Sequence, residues 1–302
     1  MLGDREFASA MAVEAYQLGK RFGDVWGVKE ATFELGRGMV GVLAGPNGAG
    51  KTTTTRILTT YYKPDKGEAR VCGFDVVKDY KRVRRVISYL PQGYSVSLDL
   101  TPEELVVSTL MSRGLSFSDA RREARRWLEA LGMRELRKRR LWVLSGGERR
   151  RALVASVLAE PAEVYFLDEP TTGIDVEGRY EVLKVIREVV SHGATVFMTT
   201  HNLAEAQMVA DIVVFINSGI TVKLGSPTQL LESFPWRFKA VVNGRSSLPE
   251  GVPCLPLGDK LVVYARTRSE LYGLLEELKV DVHGVREVDL EDVYLHTVGG
   301  GR

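Results

Sequence analysis

Three stretches of this chain carry side chains that can act on a phosphate. The first, Gly45-Pro46-Asn47-Gly48-Ala49-Gly50-Lys51-Thr52, fills every fixed position of the GxxxxGK[ST] pattern. Its glycines let the backbone turn sharply and aim N–H groups at phosphate oxygens, at the positive end of the helix that follows. Lys51 adds a mobile charge for the β and γ phosphates, the Thr52 hydroxyl suits Mg²⁺, and Thr53 continues the same turn. The second stretch is an apolar run from Val164 to Leu167 that ends in Asp168-Glu169. Asp168 suits Mg²⁺ directly or through water, and Glu169 stands where it can polarise a water for attack on a γ-phosphate. The third, Leu144-Ser145-Gly146-Gly147-Glu148, lies between the other two. A Ser-Gly-Gly turn that opens a helix is itself an anion site. The glycine loop alone says only that a nucleotide binds; the order and spacing of the three point to hydrolysis of a triphosphate.

Such side chains need rigid elements to hold them. The run Met39 to Ala44 has the pattern of a buried strand and feeds directly into the glycine loop. Residues Thr53 to Tyr62 predict a helix stopped by Lys63-Pro64-Asp65. Between about residues 101 and 143 the period becomes helical, with Ala120, Ala124, Trp127, Leu128 and Leu131 on one face and a stop at Gly132. The strand before Asp168 is followed by an amphipathic helix bearing Val182, Leu183, Ile186, Val189 and Val190, with Gly193 as its C-cap. Ala194 to Met198 and Ile212 to Ile216 read as two more strands. This alternation predicts an α/β fold around a largely parallel sheet, with a helical subdomain inserted at about residues 93–150.

The ends differ in texture. Residues 1–12 read as a loose leader, within which Met11 is an alternative start. A boundary is expected at Ser233-Phe234-Pro235, and residues 236–302 read as a small α+β domain. There Trp236, Phe238, Ala240 and Val242 alternate with Arg237, Lys239 and Val241. Gly258-Asp259 predicts a hairpin, and Thr267 with Glu270 a capping box ahead of a helix bearing Leu271, Leu274, Leu275 and Leu278.

Composition narrows the class. An apolar share of 44% with 26% charge is ordinary for a globular protein, and 302 residues suffice for about two domains. Cys72 and Cys254 lie far apart without a CxxC pair, which argues against zinc and fits a reducing cytoplasm. No run approaches the length of a membrane span, and Met1-Leu2-Gly3-Asp4-Arg5-Glu6 lacks the apolar core of a secretory signal. A net charge of +2 is too small to imply nucleic acid by itself. Arginines do crowd the third motif, from Arg121 to Arg151, but Glu123, Glu129 and Glu135 are interspersed, so a solvated, salt-bridged helical face is expected.

With Leu144 to Glu148 in place, residues 13–233 closely resemble the ATP-binding subunits of ABC transporters. The match runs in the family's order: the Walker A loop at Gly45 to Thr52, Gln92 after Tyr89-Leu90-Pro91 as the Q-loop, and the signature at Leu144 to Glu148. Asp168-Glu169 follow as Walker B and catalytic acid, Gly173-Ile174-Asp175 as D-loop, and His201 after Thr199-Thr200 as the switch histidine. Phe22, before Gly23, stands where the family stacks an aromatic on adenine. Two departures are visible, Glu148 for glutamine and Ile174 for leucine, and neither removes a catalytic group.

The resemblance implies a P-loop NTPase core that binds ATP and Mg²⁺. The signature closes on ATP held by a second copy of the chain, giving a head-to-tail dimer with two composite sites. It implies that Glu169 acts as general base, that His201 holds γ-phosphate and water in register, and that Thr52, Gln92 and Asp168 serve the metal. Asp175 communicates across the interface. Permease subunits would supply the membrane path, with the chain peripheral at the cytoplasmic face and no nucleic acid expected. The stretch Asp289-Leu290-Glu291-Asp292-Val293-Tyr294-Leu295 resembles the ending of drug-resistance-type exporter ATPases, although a short capped helix closing the small domain would explain it equally. The competing classes are importer ATPases and soluble relatives that act on DNA or ribosomes. DNA-repair relatives separate Walker A from signature by hundreds of residues, and translation-factor relatives carry two cassettes; the short interval from Thr52 to Ser145 and the single cassette favour transport.

Overall fold

The computed structural model describes residues 10–93, 96–243, 252–278 and 282–299. The chain divides into two compact units, Met1–Leu224 and Gly225–Arg302. The first unit holds strands β1 (Met11–Phe22), β2 (Val25–Gly36), β3 (Val40–Ala44), β4 (Lys66–Val71), β5 (Phe74–Asp75), β6 (Ile87–Leu90), β7 (Val164–Asp168), β8 (Thr195–Thr200), β9 (Ile212–Asn217) and β10 (Ile220–Gly225). Its helices are α1 (Lys51–Leu58), α2 (Tyr80–Val86), α3 (Pro102–Ser112), α4 (Phe117–Ala130), α5 (Gly146–Leu158), α6 (Val176–Ser191) and α7 (Leu203–Val209).

The ten strands form one sheet in the order β5-β4-β1-β2-β10-β9-β3-β8-β7-β6. Only part of it is parallel. The five strands from β9 to β6 pair in parallel, and β3, β7 and β8 are buried at every residue, as strands covered on both faces must be. β1 pairs antiparallel with β2 and β4, and β4 with β5, while β2 meets β10 in parallel at Glu30 and Ile220; β2 alternates between buried and exposed residues from Ala31 to Leu35. The expectation of a largely parallel sheet holds from β9 to β6 and where β2 meets β10, and fails for the pairings of β1, β4 and β5. Both β1 and β2 mix buried and exposed residues, the pattern of a ribbon with one solvated face.

Parallel pairing decides where the chemistry goes. Because β3, β8, β7 and β6 run the same way in register, Ala44 pairs with Thr200, Asp168 with Thr199 and Leu167 with Leu90. The glycine loop, Asp168-Glu169, His201 and Gln92 each follow one of these carboxyl ends, where α/β sheets bind ligands.

Several boundaries differ from those predicted. β1 begins at Met11, and Ala12 and Val13 are buried, so the leader ends sooner than residue 12; residues 1–9 lie outside the described residues. The helix after the glycine loop starts at Lys51, inside the motif, and stops at Leu58, before the proline. Thr60 adopts φ 65°, and the N–H groups of Tyr61 and Tyr62 both donate to Arg56 O, which ends the helix ahead of Lys63-Pro64. The expected helical insertion appears as α3, whose Thr101 and Glu104 form a capping box, and α4, capped by Ser116.

The second unit begins about ten residues before the expected boundary, since α8 (Pro227–Glu232) belongs to it. Its strands β11 (Phe238–Asn243), β12 (Cys254–Leu257), β13 (Lys260–Ala265) and β14 (Val282–Glu287) form a sheet in the order β12-β13-β11-β14. The hairpin turns at Gly258, in the left-handed region at φ 63°, and Leu257 pairs with Lys260. Thr267 and Glu270 bond reciprocally at the start of α9 (Arg268–Leu278), which buries Leu271 and Leu275 against Ala240, Val242, Val263 and Ala265. The chain closes with α10 (Leu290–Gly299). In the Asp289–Leu295 stretch, Leu290, Val293 and Tyr294 are core residues. Asp292 is 4% exposed, accepts from Tyr264 Oη at 2.9 Å and pairs with Lys239 Nζ at 2.7 Å. Here the motif acts as a capped, ion-paired closure of the small unit.

Candidate active site

Gly45, Gly48 and Gly50 are required by the loop's path. A side chain at Gly45 would meet Ile216 O at 2.2 Å, and one at Gly50 would meet Gly27 O at 2.6 Å; Gly48 and Gly50 have φ of 80° and 103°. Pro46, Asn47 and Gly48 form the exposed tip, and Ala49 O accepts from Gly219 N, which ties the loop to the turn after β9. Lys51 is buried and turned back on its own loop, donating to Gly45 O at 2.8 Å and Pro46 O at 3.0 Å. Its Nζ lies 3.5 Å from Glu169 Oε1. Burial lowers the Lys51 pKa, against the opposing pull of Glu169. Phe22 is 43% exposed and meets Tyr62 edge-on at 5.1 Å. The Cα of Gly27 is near both Phe22 and the Thr53 hydroxyl, where an added Cβ would crowd each, so Phe22 borders the first turn of α1.

Glu169 is the centre of the cluster. It is 5% exposed and has φ 50°, a left-handed conformation that costs a residue with a side chain about 1 to 3 kcal/mol. Its Oε2 accepts from Thr172 Oγ1 at 3.0 Å and Gln92 Nε2 at 3.4 Å, and lies 3.3 Å from His201 Nδ1. Burial pushes the Glu169 carboxyl up, but the Thr172 hydrogen bond, Lys51 and His201 outweigh it and hold it below the usual carboxylate range. Glu169 is thus a carboxylate, the form a base needs.

Asp168 is fully buried. Its Oδ1 accepts from Thr199 Oγ1 at 2.5 Å, while Oδ2 is buried without a hydrogen-bond partner. An orphaned carboxylate oxygen at a strand end fits a hard cation or its bound water. Among the described residues there is no group of three or more His, Cys, Asp and Glu placed to hold a metal ion.

The signature residues stay apart from this cluster. Ser145 caps α5, its Oγ accepting from Glu148 N at 3.2 Å, and the Glu148 carboxylate accepts from Ser145 N at 2.7 Å. Glu148 is therefore the N3 partner of a capping box, which accounts for an acid at this position. Among the described residues, no hydrogen bond or ion pair joins Ser145, Gly146 or Glu148 to Lys51, Glu169 or His201. Gly147 is buried, and a side chain there would meet Gly173 O at 2.7 Å, so the signature helix packs directly on the D-loop. Asp175 caps α6 by accepting from Gly178 N at 2.7 Å.

Four contributors were not singled out from the sequence as site residues. Thr172 and Thr199 hold Glu169 and Asp168 as above. Glu205, 4% exposed, accepts from Thr171 and Thr200 hydroxyls at 2.7 and 3.2 Å and so braces the residues beside His201. Arg150 is buried, although the charged stretch around it reads as solvated. A signal was present: Gly147, Arg150, Val154 and Val157 recur at helical spacing on one buried face. Arg122, Arg126 and Arg134 form the expected exposed pairs with Asp119, Glu123 and Glu129, and Arg121, Arg125 and Arg137 gather around Glu103, whereas Arg151 is drawn inward to Glu181 and Leu131 O.

A glycine loop between β3 and α1, facing an acid pair at the end of a parallel strand, puts the chain among the P-loop NTPases. The family model described as "ABC transporter" matches residues 28–172. The chain is 36% identical over 273 residues to the daunorubicin/doxorubicin resistance ATP-binding protein DrrA of Streptomyces peucetius, covering 90% of this chain and 77% of that one. It is 34% identical to the daunorubicin resistance ATP-binding protein DrrA3 of Streptomyces coeruleorubidus, over 94% of each chain. In fold it is similar to a dimeric ATP-binding cassette in a post-hydrolysis state bound to ADP and Pi, with a TM-score of 0.64 and 21% identity over 71% of this chain and 98% of that one. The chain belongs to the ABC transporter family, among its drug-resistance-type ATPase subunits.

Proposed function

We propose that this chain binds ATP with Mg²⁺ on the Gly45–Thr52 loop and hydrolyses it at two composite sites of a head-to-tail dimer, driving export through separate permease subunits. The observation that carries this reading is the division of the phosphate chemistry. Lys51, Gln92 and His201 converge on Glu169, whereas Ser145 and Gly146 stand exposed at the start of another helix. A second copy supplies what each half lacks: its Ser145, its signature glycines and the positive end of its α5 meet the γ-phosphate.

Within one site, Lys51 leaves its loop carbonyls for the β and γ phosphates. Glu169 accepts a proton from the attacking water, and His201 holds that water and the γ-phosphate in register. Thr52, Asp168 and Gln92 hold Mg²⁺, which when bound neutralises phosphate charge. Phe22 stacks on adenine, a contact worth about 1 to 3 kcal/mol, and Asp175 communicates across the dimer. The resistance named in the similar Streptomyces proteins supports export, and the dimeric cassette of like fold supports the assembly. The reading puts the chain at the cytoplasmic face as a peripheral subunit; among the described residues no helix is long and apolar enough to cross a membrane.

Mixing two inactive variants tests the assembly. Ser145→Arg and Lys51→Ala chains alone should not hydrolyse ATP, but a mixture should do so weakly, through its one intact composite site. A mixture as inactive as either variant sinks the shared-site reading.

A further inference from the structure

Arg150 is 9% exposed, and its guanidinium donates to four main-chain carbonyls. Nη2 reaches Asp168 O at 2.6 Å and Glu169 O at 3.0 Å. Nη1 reaches Pro91 O at 3.1 Å and Gln92 O at 3.4 Å. Asp168 O and Glu169 O belong to the two peptide planes that flank the Glu169 α-carbon. The first of those planes is also held from its other edge, where Glu169 N donates to Thr199 Oγ1 at 3.0 Å and to Thr199 O at 3.2 Å. Holding both planes fixes φ and ψ of Glu169, the residue kept at φ 50°.

A cation in this position needs a reason, since desolvating a guanidinium is costly and carbonyls repay it less fully than a carboxylate. Only a planar fork with donors on two nitrogens can span two pairs of carbonyls; a lysine ammonium is a single point charge. Arg150 also sits in the second turn of α5, the helix that Ser145 opens. The same side chain therefore binds the signature helix, the main chain before and at Gln92, and the main chain of Glu169.

We propose that Arg150 is the positioning residue of Glu169, clamping the two peptide planes around it to the signature helix and the Gln92 segment, so that the carboxylate's place is set by the helix that Ser145 begins. This inference rests on the proposed role of Glu169 as base. The Arg150 donors are directed at main-chain carbonyls, so its contribution is read in turnover and passes through Glu169.

The experiment compares Arg150→Lys, Glu169→Gln and the double variant in the full chain, measuring single-turnover ATP hydrolysis, binding of a non-hydrolysable ATP analogue and thermal melting. Misplacing a reacting group by about an ångström costs roughly 10²-fold, so Arg150→Lys should lower turnover by about 10- to 100-fold. Analogue affinity should change by less than about threefold, well under a tenfold step. In the Glu169→Gln background the same substitution should cost less than about twofold, because residues acting as a unit are not additive. Three results overturn the proposal: Arg150→Lys with unchanged turnover, an equal loss in both backgrounds, or a loss accompanied by a fall of more than about 5 °C in Tm, which marks a residue of the fold. If Glu169→Gln itself turns over normally, the base assignment fails instead, whatever Arg150 does.

Discussion

Lys239 in the small unit meets Asp289 at 2.8 Å and Asp292 at 2.7 Å, and Tyr264 completes Asp292. In the ATPase unit, Lys51 meets its own loop carbonyls, Asp168 Oδ2 has no hydrogen-bond partner and Glu169 keeps a left-handed backbone. Both units bury an aspartate close to a lysine, yet Asp292 of the small unit is met on both oxygens, whereas Asp168 of the ATPase unit keeps one oxygen without a hydrogen-bond partner. The Lys239 pKa is raised, since its two carboxylates outweigh burial, whereas the Lys51 pKa is lowered because burial outweighs Glu169. Buried charge that is mutually paired closes a fold; buried charge left short of partners is prepared for a ligand.

The contrast can be broken most severely at Glu169, the proposed base. Glu169→Gln should slow hydrolysis by about 10² to 10⁴ while ATP binding persists, and unchanged turnover in a steady-state assay would remove Glu169 from that role. In the small unit the effect should fall on stability. Lys239→Met leaves the buried Asp292 and the half-exposed Asp289 without their shared cation, and stranding a buried acceptor costs about 1 to 3 kcal/mol. Chemical denaturation should register that loss with the ATPase rate per folded molecule unchanged; a lowered rate with normal stability would contradict the division.

Thr172→Val acts more gently. It removes the leading interaction that lowers the Glu169 pKa, so the carboxyl should titrate at higher pH. The acid limb of the turnover profile, which Glu169 places below the ordinary carboxylate range, should therefore move up in pH. An unmoved limb would assign it to another group. The smallest effect belongs to the exposed arginines. Arg134→Ala removes a pair with Glu129 in which both side chains are more than half exposed, and should alter stability by less than about 0.5 kcal/mol. DNA or RNA at physiological salt should leave the ATPase rate unchanged, and a response would revive the nucleic-acid reading.

Much of the site is legible in the sequence because its residues sit in stretches whose local conformation is dictated by type. Gly45, Gly48 and Gly50 mark a loop that no other residue can trace, and Val164 to Leu167 mark a doubly covered strand ending in acids. The small unit's hairpin at Gly258 and capping box at Thr267 follow from short-range chemistry in the same way. The misreadings lie where distant partners decide. Arg150 carries the same charge as its neighbours, but its place on the buried face of α5 sets it against carbonyls from two other segments. Met11 and Ala12 look like part of a loose leader, yet they open β1, which is secured by β2 and β4 further along the chain.

The sequence by itself determined the phosphate loop, the acid pair, the signature turn and their order, because glycine conformation, charge and apolar period are local properties. Tertiary structure alone decided that Gln92, Glu169 and His201 meet, since parallel pairing of β3, β8, β7 and β6 brings their carboxyl ends to one edge. It also decided that Glu148 turns back to cap its own helix and that Arg150 turns inward. Both outcomes depend on which carbonyls and N–H groups remain unpaired once the segments are assembled, and that account closes only in three dimensions.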